Sequence, residues 1–526
     1  MAGEAIVPTA CGAAIGLGAA GSLPWWVSAI ALSSWAASVR RTQASAKRVR
    51  PSLGIALGAL AMQLAGGWWL GLGVNAPGDA LGWQVLVVAM TVGLQVAWLG
   101  GAWALATRAV TELPSRSTNA APGVAWCLAW GTAETLREIG PTGYGYTSLG
   151  TAFIDLPVLS SWVAVIGSHG LSVVVALLAW LAAGAVAPSA TPTDRFRRWR
   201  AALVTTLAVA GLGQALTMVS WTHADGAPIA VTVLQDATDK RQVWAAAERD
   251  LAEDRLLEAV RSTPPGGIVA TPEGHFAEPL PLRPDEFWQT LRDEAQARGL
   301  HVLVGMPQRA RDGDDRLMLN AIVQIAPERI GLYAKERLVP GGESLPFPAL
   351  LSAVYDGAFQ GQGGAPRVAE SAAPRALTRP LFVAGAQVGA SICHELSFTT
   401  TVAERARGSA WLLNAADDAW IPSAAYRRQL AVIARTRALE LAKPLLRVTD
   451  GGASMLVGPD GRIERTAPAL TPALLHWQVQ PRSGSTPYER HAGTLSIAPA
   501  MALGVLALAA IVLRRRRPAT LDPRLP

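Results

Sequence analysis

The sequence predicts a two-part fold: a multi-span α-helical membrane domain joined to a layered α/β domain. Three observations predict it. Half of the 526 residues are hydrophobic and only 16% are charged, which is too apolar for an ordinary soluble chain. Apolar runs near the ~20 residues that cross a bilayer core fill 5–20, 24–39, 52–72, 83–108, 122–139, 158–187, 201–220 and 496–513. Between the last two, residues 221–495 regain charge and alternate short β-rich runs with helical patterns, the signature of an α/β layer.

Taken in order, the first two runs share a Gly/Pro break at "GSLPWW" and read as one hairpin or a re-entrant pair; counted separately, the runs give eight spans. No basic n-region precedes the first run and further spans follow, so it reads as an uncleaved anchor. The net charge of +7 sits in clusters at the ends of apolar runs: Arg40, Arg41, Lys47, Arg48 and Arg50, then Arg195, Arg197, Arg198 and Arg200, then Arg514 to Arg517. That placement sets topology and does not build a nucleic-acid face. The intervening loops "LGVNAPGDAL" and "GPTGYGYTSLGTAFIDLP" hold no Lys or Arg. Both termini are therefore expected on the cytoplasmic side and the large segment outside. The expected divisions are a membrane domain over 1–222, a catalytic domain over 223–488, and a last transmembrane helix with a basic tail over 489–526.

Within the α/β segment, "IAVTVLQ", "GIVAT", "LHVLVGM", "AIVQIA" and "GASMLVG" read as strands. "QVWAAAERDLAEDRLLEAVRS" and "AAYRRQLAVIARTRALELA" read as helices, and no internal repeat is visible. The Gly/Pro/Ala-rich stretch 359–376 reads as a loop near the membrane. Nineteen tryptophans, with Tyr144 and Tyr146, read as interface packing, and Arg427, Arg428, Arg435 and Arg437 as a solvated or salt-bridged helix face. Cys11, Cys127 and Cys393 have no metal-ligand spacing, so neither a metal, a cofactor nor a disulfide framework is expected.

Three motifs carry chemistry. "TPEGHF" presents Glu273, "YAKERLVPGGES" presents Lys335 and Glu343, and "SICHEL" presents Cys393 beside His394 and Glu395. Each alone has a plain explanation: a turn cap, an edge residue, a core thiol. Together they suffice for acyl transfer. A thiol with an ordinary pKa near 8.5 is mostly protonated at neutral pH. A carboxylate in reach takes its proton as general base and returns it to the leaving group. An ammonium beside them keeps the carboxylate ionised and stabilises the oxyanion.

The order of these motifs on an α/β layer resembles the nitrilase superfamily, whose domain is an α-β-β-α sandwich. The strings "VLQDATDKRQVW", "LREIGPTGYGYTSLGTA", "LVPGGESLPF", "DDAWIPSAAYRRQ" and "GSTPYERHAG", together with the spans, resemble its membrane-bound branch, the apolipoprotein N-acyltransferases. The resemblance implies Cys393 as nucleophile, Glu273 as general base and Lys335 as oxyanion-stabilising residue. It implies supporting roles for Glu343, Glu395, His394 and Trp244. The reaction implied is ping-pong: an acyl chain passes from a phospholipid, typically phosphatidylethanolamine, to Cys393. From there it passes to the α-amino group of a diacylglyceryl-modified N-terminal Cys of a lipoprotein, at the bacterial inner membrane with the catalytic domain periplasmic. Five positions depart from the family pattern: His394 replaces a Tyr, Gly341 replaces an aromatic, and Asp417, Ile421 and Pro422 replace the Asn, Phe and Gly of an "NDAWFG" string. Two other readings stay open on these residues, a membrane-bound amidase or paralogous acyltransferase with another amine acceptor, and a non-catalytic relative.

Overall fold

The computed structural model describes residues 2–44, 51–73, 81–112, 121–139, 143–189, 191–237, 246–281, 285–309, 317–327, 329–340, 343–344, 369–370 and 377–516. Trp244, Gly341 and nearly all of the 359–376 loop lie outside them.

Helices stand at all eight apolar runs: Ala2–Ala19, Trp25–Ala44, Pro51–Gly67, Leu81–Glu112, Ala121–Arg137, Val163–Val186, Pro192–Leu216 and Pro487–Arg516. Among the described residues, three stretches are long and apolar enough to cross a membrane: Val88–Val110, Val163–Val186 and Pro487–Leu513. Ala5–Ala19 and Ser52–Gly67 are shorter apolar helices. Small residues bring those two together, since a Cβ on Gly12 would lie 1.9 Å from the Gly58 carbonyl oxygen. Such close backbone approach is how helices associate where lipid offers no hydrophobic drive. Several tryptophans expected at the interface instead form the middle of this bundle: Trp35 meets Trp126 and Trp130 edge-on at 6.0 and 5.7 Å, and all three are buried. The outward faces of Pro192–Leu216 and Pro487–Arg516 expose Val204, Leu207, Leu212, Met501, Val505 and Leu508, an apolar surface suited to lipid.

The α/β part is built from two sheets. One orders its strands Ala473–Val479, Ile229–Gln235, Ile268–Ala270, His301–Arg309, Leu317–Ile325 and Ile330–Ala334, with Ala369–Glu370 added on Leu317–Ile325. The other runs Leu381–Val383, Ala386–Ile392, Trp411–Asp417, Leu445–Asp450, Met455–Val457 and Ile463–Thr466. Val231, Val233, Ile268 and Leu303 of the first pack on Val388, Ala390, Leu413 and Leu446 of the second. Ala246–Ser262 and Glu286–Arg298 cover the outer face of one sheet; Thr399–Ala406 and Ala424–Leu441 cover that of the other. The layers are α-β-β-α. In each sheet three parallel strands are followed in chain order by two antiparallel ones, a structural repeat that left no repeat in the sequence. The remaining edges differ, Leu381–Val383 preceding its neighbour in the chain and Ala473–Val479 coming after all the others of its sheet.

The two parts share a core. Trp69, Tyr144 and Tyr146 from the helical part and Tyr488 from the last helix cluster with Leu396, Val402, Leu430 and Ile433 of the α/β part. The helices over the second sheet are thus covered by the membrane bundle, and the strand ends that carry Cys393 lie beside it.

Candidate active site

Each motif sits where a strand stops. Ile268–Ala270 ends three residues before Glu273, Ile330–Ala334 ends one before Lys335, and Ala386–Ile392 ends at Cys393. The wholly buried character of these ends follows from their apolar runs facing the inter-sheet core. The turn bearing Glu273 lies against a strand residue without a side chain: a Cβ on Gly305 would stand 2.0 Å from the Pro272 carbonyl oxygen.

Cys393 has φ +49°, a left-handed conformation that costs a non-glycine residue energy. Glu395 holds the elbow there. Its carboxylate accepts from the amides of Ile392 (2.7 Å), Glu336 (2.7 Å) and Arg337 (3.1 Å) and from the Tyr333 hydroxyl (2.7 Å). Burial pushes the Glu395 carboxyl up, and these donors offset part of that. One carboxylate therefore ties the turn at Cys393 to the segment that presents Lys335.

The structure brings Glu273, Lys335, Cys393 and Glu343 into one cluster. Lys335 Nζ donates to Glu273 Oε1 at 2.9 Å and to Glu343 Oε1 at 2.5 Å. Asn320 Nδ2 donates to the same two oxygens at 2.6 and 3.2 Å, and the Asp417 amide donates to Glu273 Oε2 at 3.0 Å. Burial raises the Glu273 carboxyl, but the Lys335 ammonium and hydrogen bonds from Lys335, Asn320 and the Cys393 thiol outweigh it and hold the group below the usual carboxylate range. Burial and the Glu273 charge push the Cys393 thiol well up, against a smaller downward pull from Lys335. The resting pair is thus a thiol beside a carboxylate.

Sequence reading missed Asn320, Tyr333 and the Asp417 amide. An Asn within the otherwise apolar run "LMLNAIVQI", which it shares only with Gln324, was the available signal for the first. The strand end at Asp417 is fixed by its neighbour: Asp418 makes a two-pronged buried pair with Arg447 at 2.8 and 2.9 Å. His394 is buried, stacks on Tyr146 with centroids 5.4 Å apart, and lies 3.0 Å from the Tyr146 hydroxyl through Nδ1. Burial and the Lys335 charge push its pKa down to about 3. Tyr144 and Tyr146 are therefore not interface anchors; both are buried in the core that holds Leu396. Arg437, expected on an outer face, is buried and pairs with Glu440 at 2.7 Å, whereas Arg435 pairs with Asp155 at 2.8 Å.

Comparison with known proteins gives the family. Residues 228–488 match the carbon-nitrogen hydrolase family model and residues 11–181 that of the apolipoprotein N-acyltransferase N-terminal domain. The apolipoprotein N-acyltransferase of Ralstonia nicotianae is 30% identical over 94% of this chain and 90% of its own. The chain belongs to the apolipoprotein N-acyltransferase family. Other family members agree: that of Chromobacterium violaceum is 30% identical over 75% of this chain and 74% of its own, and that of Methylococcus capsulatus 30% over 68% of each. The crystal structure of the C. elegans NitFhit protein aligns at 16% identity over 56% of this chain and 66% of that chain, with a TM-score of 0.36.

Proposed function

We propose that this chain acylates the N-terminal amine of lipoproteins through a thioester on Cys393. The observation that carries the reading is the buried Glu273–Lys335–Cys393 cluster lying against the membrane bundle in a member of this family. In the first half-reaction Glu273 takes the Cys393 proton and the sulfur attacks an ester carbonyl of a phospholipid, with phosphatidylethanolamine as donor. The developing oxyanion is stabilised by Lys335, and collapse expels a lysophospholipid alkoxide that receives the proton back from Glu273. In the second, the α-amine of a diacylglyceryl-cysteine attacks the thioester, loses a proton to Glu273, and leaves as an amide while the Cys393 thiol is restored. Glu343 and Asn320 hold the Lys335–Glu273 pair; Glu395 and His394 hold the elbow. Trp244, outside the described residues, is assigned a substrate-binding or supporting role by its resemblance to the family pattern alone. Domain limits at 222 and 488, an inner-membrane location with both termini cytoplasmic and the cluster on the periplasmic face, and a lipid-borne pair of substrates complete the proposal.

The test is intact-protein mass spectrometry of the purified chain in detergent with phosphatidylethanolamine, against Cys393→Ala. An acyl increment on the wild type alone, discharged by a diacylglyceryl peptide to an N-acylated product, is the expected result. Discharge by water only would make the chain a hydrolase, and an unmodified, folded wild type would remove the thioester altogether.

A further inference from the structure

The elbow at Cys393–Ser397 runs directly into the helix Thr399–Ala406, whose N-cap residue Phe398 supplies no side-chain acceptor. The first amides of a helix have no intrahelical partner and need one from elsewhere. Here it comes from the membrane bundle. Glu138 Oε1 accepts from the Thr399 amide at 2.9 Å, and Oε2 accepts from the Thr400 hydroxyl at 3.2 Å and its amide at 3.5 Å. The carboxylate is itself buried and fixed by His169 Nε2 at 3.2 Å.

The residues that follow keep the same company. A Cβ on Gly143 would lie 2.6 Å from the Phe398 ring, and one on Gly145 would lie 2.2 Å from the Ser397 carbonyl oxygen. Tyr146 reaches His394 at 3.0 Å. Positions 138, 143, 145 and 146 thus meet 399, 398, 397 and 394 in reverse order, and the bundle is moulded to the turn on the side that Glu395 does not hold. A nucleophile held at φ +49° needs surroundings that over-determine it.

We propose that Glu138 is a positioning residue for Cys393, capping in trans the helix that follows the nucleophile's turn so that the membrane bundle sets the thiol's place relative to Glu273 and Lys335. This rests on the reading of Cys393 as the nucleophile.

The test uses the full chain in detergent with phosphatidylethanolamine and compares wild type with Glu138→Ala, Glu138→Gln and Tyr146→Phe. Two quantities are read: the rate and donor KM of acyl-enzyme formation, and the pH midpoint of Cys393 alkylation by iodoacetamide. Displacements of ~1 Å at a reacting centre cost up to about a hundredfold. Glu138→Ala should therefore slow acyl-enzyme formation about tenfold or more with KM unchanged. Its alkylation midpoint should move down towards that of an ordinary thiol. Glu138→Gln keeps an acceptor oxygen for the Thr399 amide and should recover most of both effects. A folded Glu138→Ala with wild-type rate and midpoint overturns the proposal, as does a Gln variant no better than Ala. Should Glu138→Ala fail to fold, Tyr146→Phe carries the test: removing one hydroxyl should slow the burst and lower the midpoint in the same direction, and no change in either overturns it. A wild type that forms no acyl-enzyme sinks the acyltransferase reading alone, because the alkylation midpoint still reports where the thiol sits.

Discussion

At Cys393 two forces oppose each other, and their balance is measurable. Burial and the Glu273 charge push the thiol up while Lys335 pulls it down. Glu273→Gln removes the carboxylate and leaves the ammonium in place, so the alkylation midpoint should fall even as acyl-enzyme formation drops by about 10²–10⁴. The divergence is the point: a reactive thiol that no longer turns over lacks its base. An unmoved or raised midpoint would show that Glu273 is not the charge acting on the sulfur. His394 gives a second test. Its pKa falls from 6.5 to about 3 because it is buried and faces the Lys335 charge. The unfolded chain then binds a proton as pH drops through 6.5 and the folded chain does not, so stability is present above 6.5 and is lost as pH falls towards 3. Melting curves of wild type and His394→Phe between those limits should converge towards the acid end. Parallel curves would mean that the imidazole protonates in the folded state.

At the level of elements, the apolar runs and strand–helix alternation were legible because each has a period set by its own backbone. The Glu273 position was legible for the same reason, since it follows the readable strand "GIVAT"; Lys335 and Cys393 came from the order of the motifs and the family resemblance. What holds them was not. Asn320 reaches Glu273 and Glu343 across strands, Tyr333 reaches Glu395 across the inter-sheet core, and the Asp417 amide has no side-chain signature at all. Such partners are fixed by register and layer packing, which no local pattern encodes. The tryptophans failed for a different reason: in helices apolar all round, periodicity cannot separate the face that meets lipid from the face that meets another helix. One strand residue makes its own prediction. Gly305→Ala would drive a methyl group into the Pro272 carbonyl and against the Glu273 backbone. Acyl-enzyme formation should drop about tenfold or more for a small misplacement of the base, with His301–Arg309 still in register by amide exchange. Full activity in Gly305→Ala would mean that the Glu273 turn has slack.

Across the whole molecule, charge is paired inside and apolar surface is turned out. Lys443 and Glu489 form a buried pair at 2.7 Å between the α/β part and the last helix, while that helix exposes Met501, Val505 and Leu508. The chain should therefore stay in the membrane pellet after an alkaline carbonate wash and come out only with detergent. Release by carbonate would contradict a lipid-facing role for those side chains. The arrangement also imposes a schedule on synthesis. Glu138 leaves the ribosome long before Thr399, and at ~5–20 residues per second the interval is on the order of tens of seconds. Throughout it the carboxylate has no helix to cap; in the finished fold His169 lies 3.2 Å from it. The surroundings of Glu138 also include Pro499 and Ser496 of the last helix, so they are complete only when both ends of the polypeptide have been made.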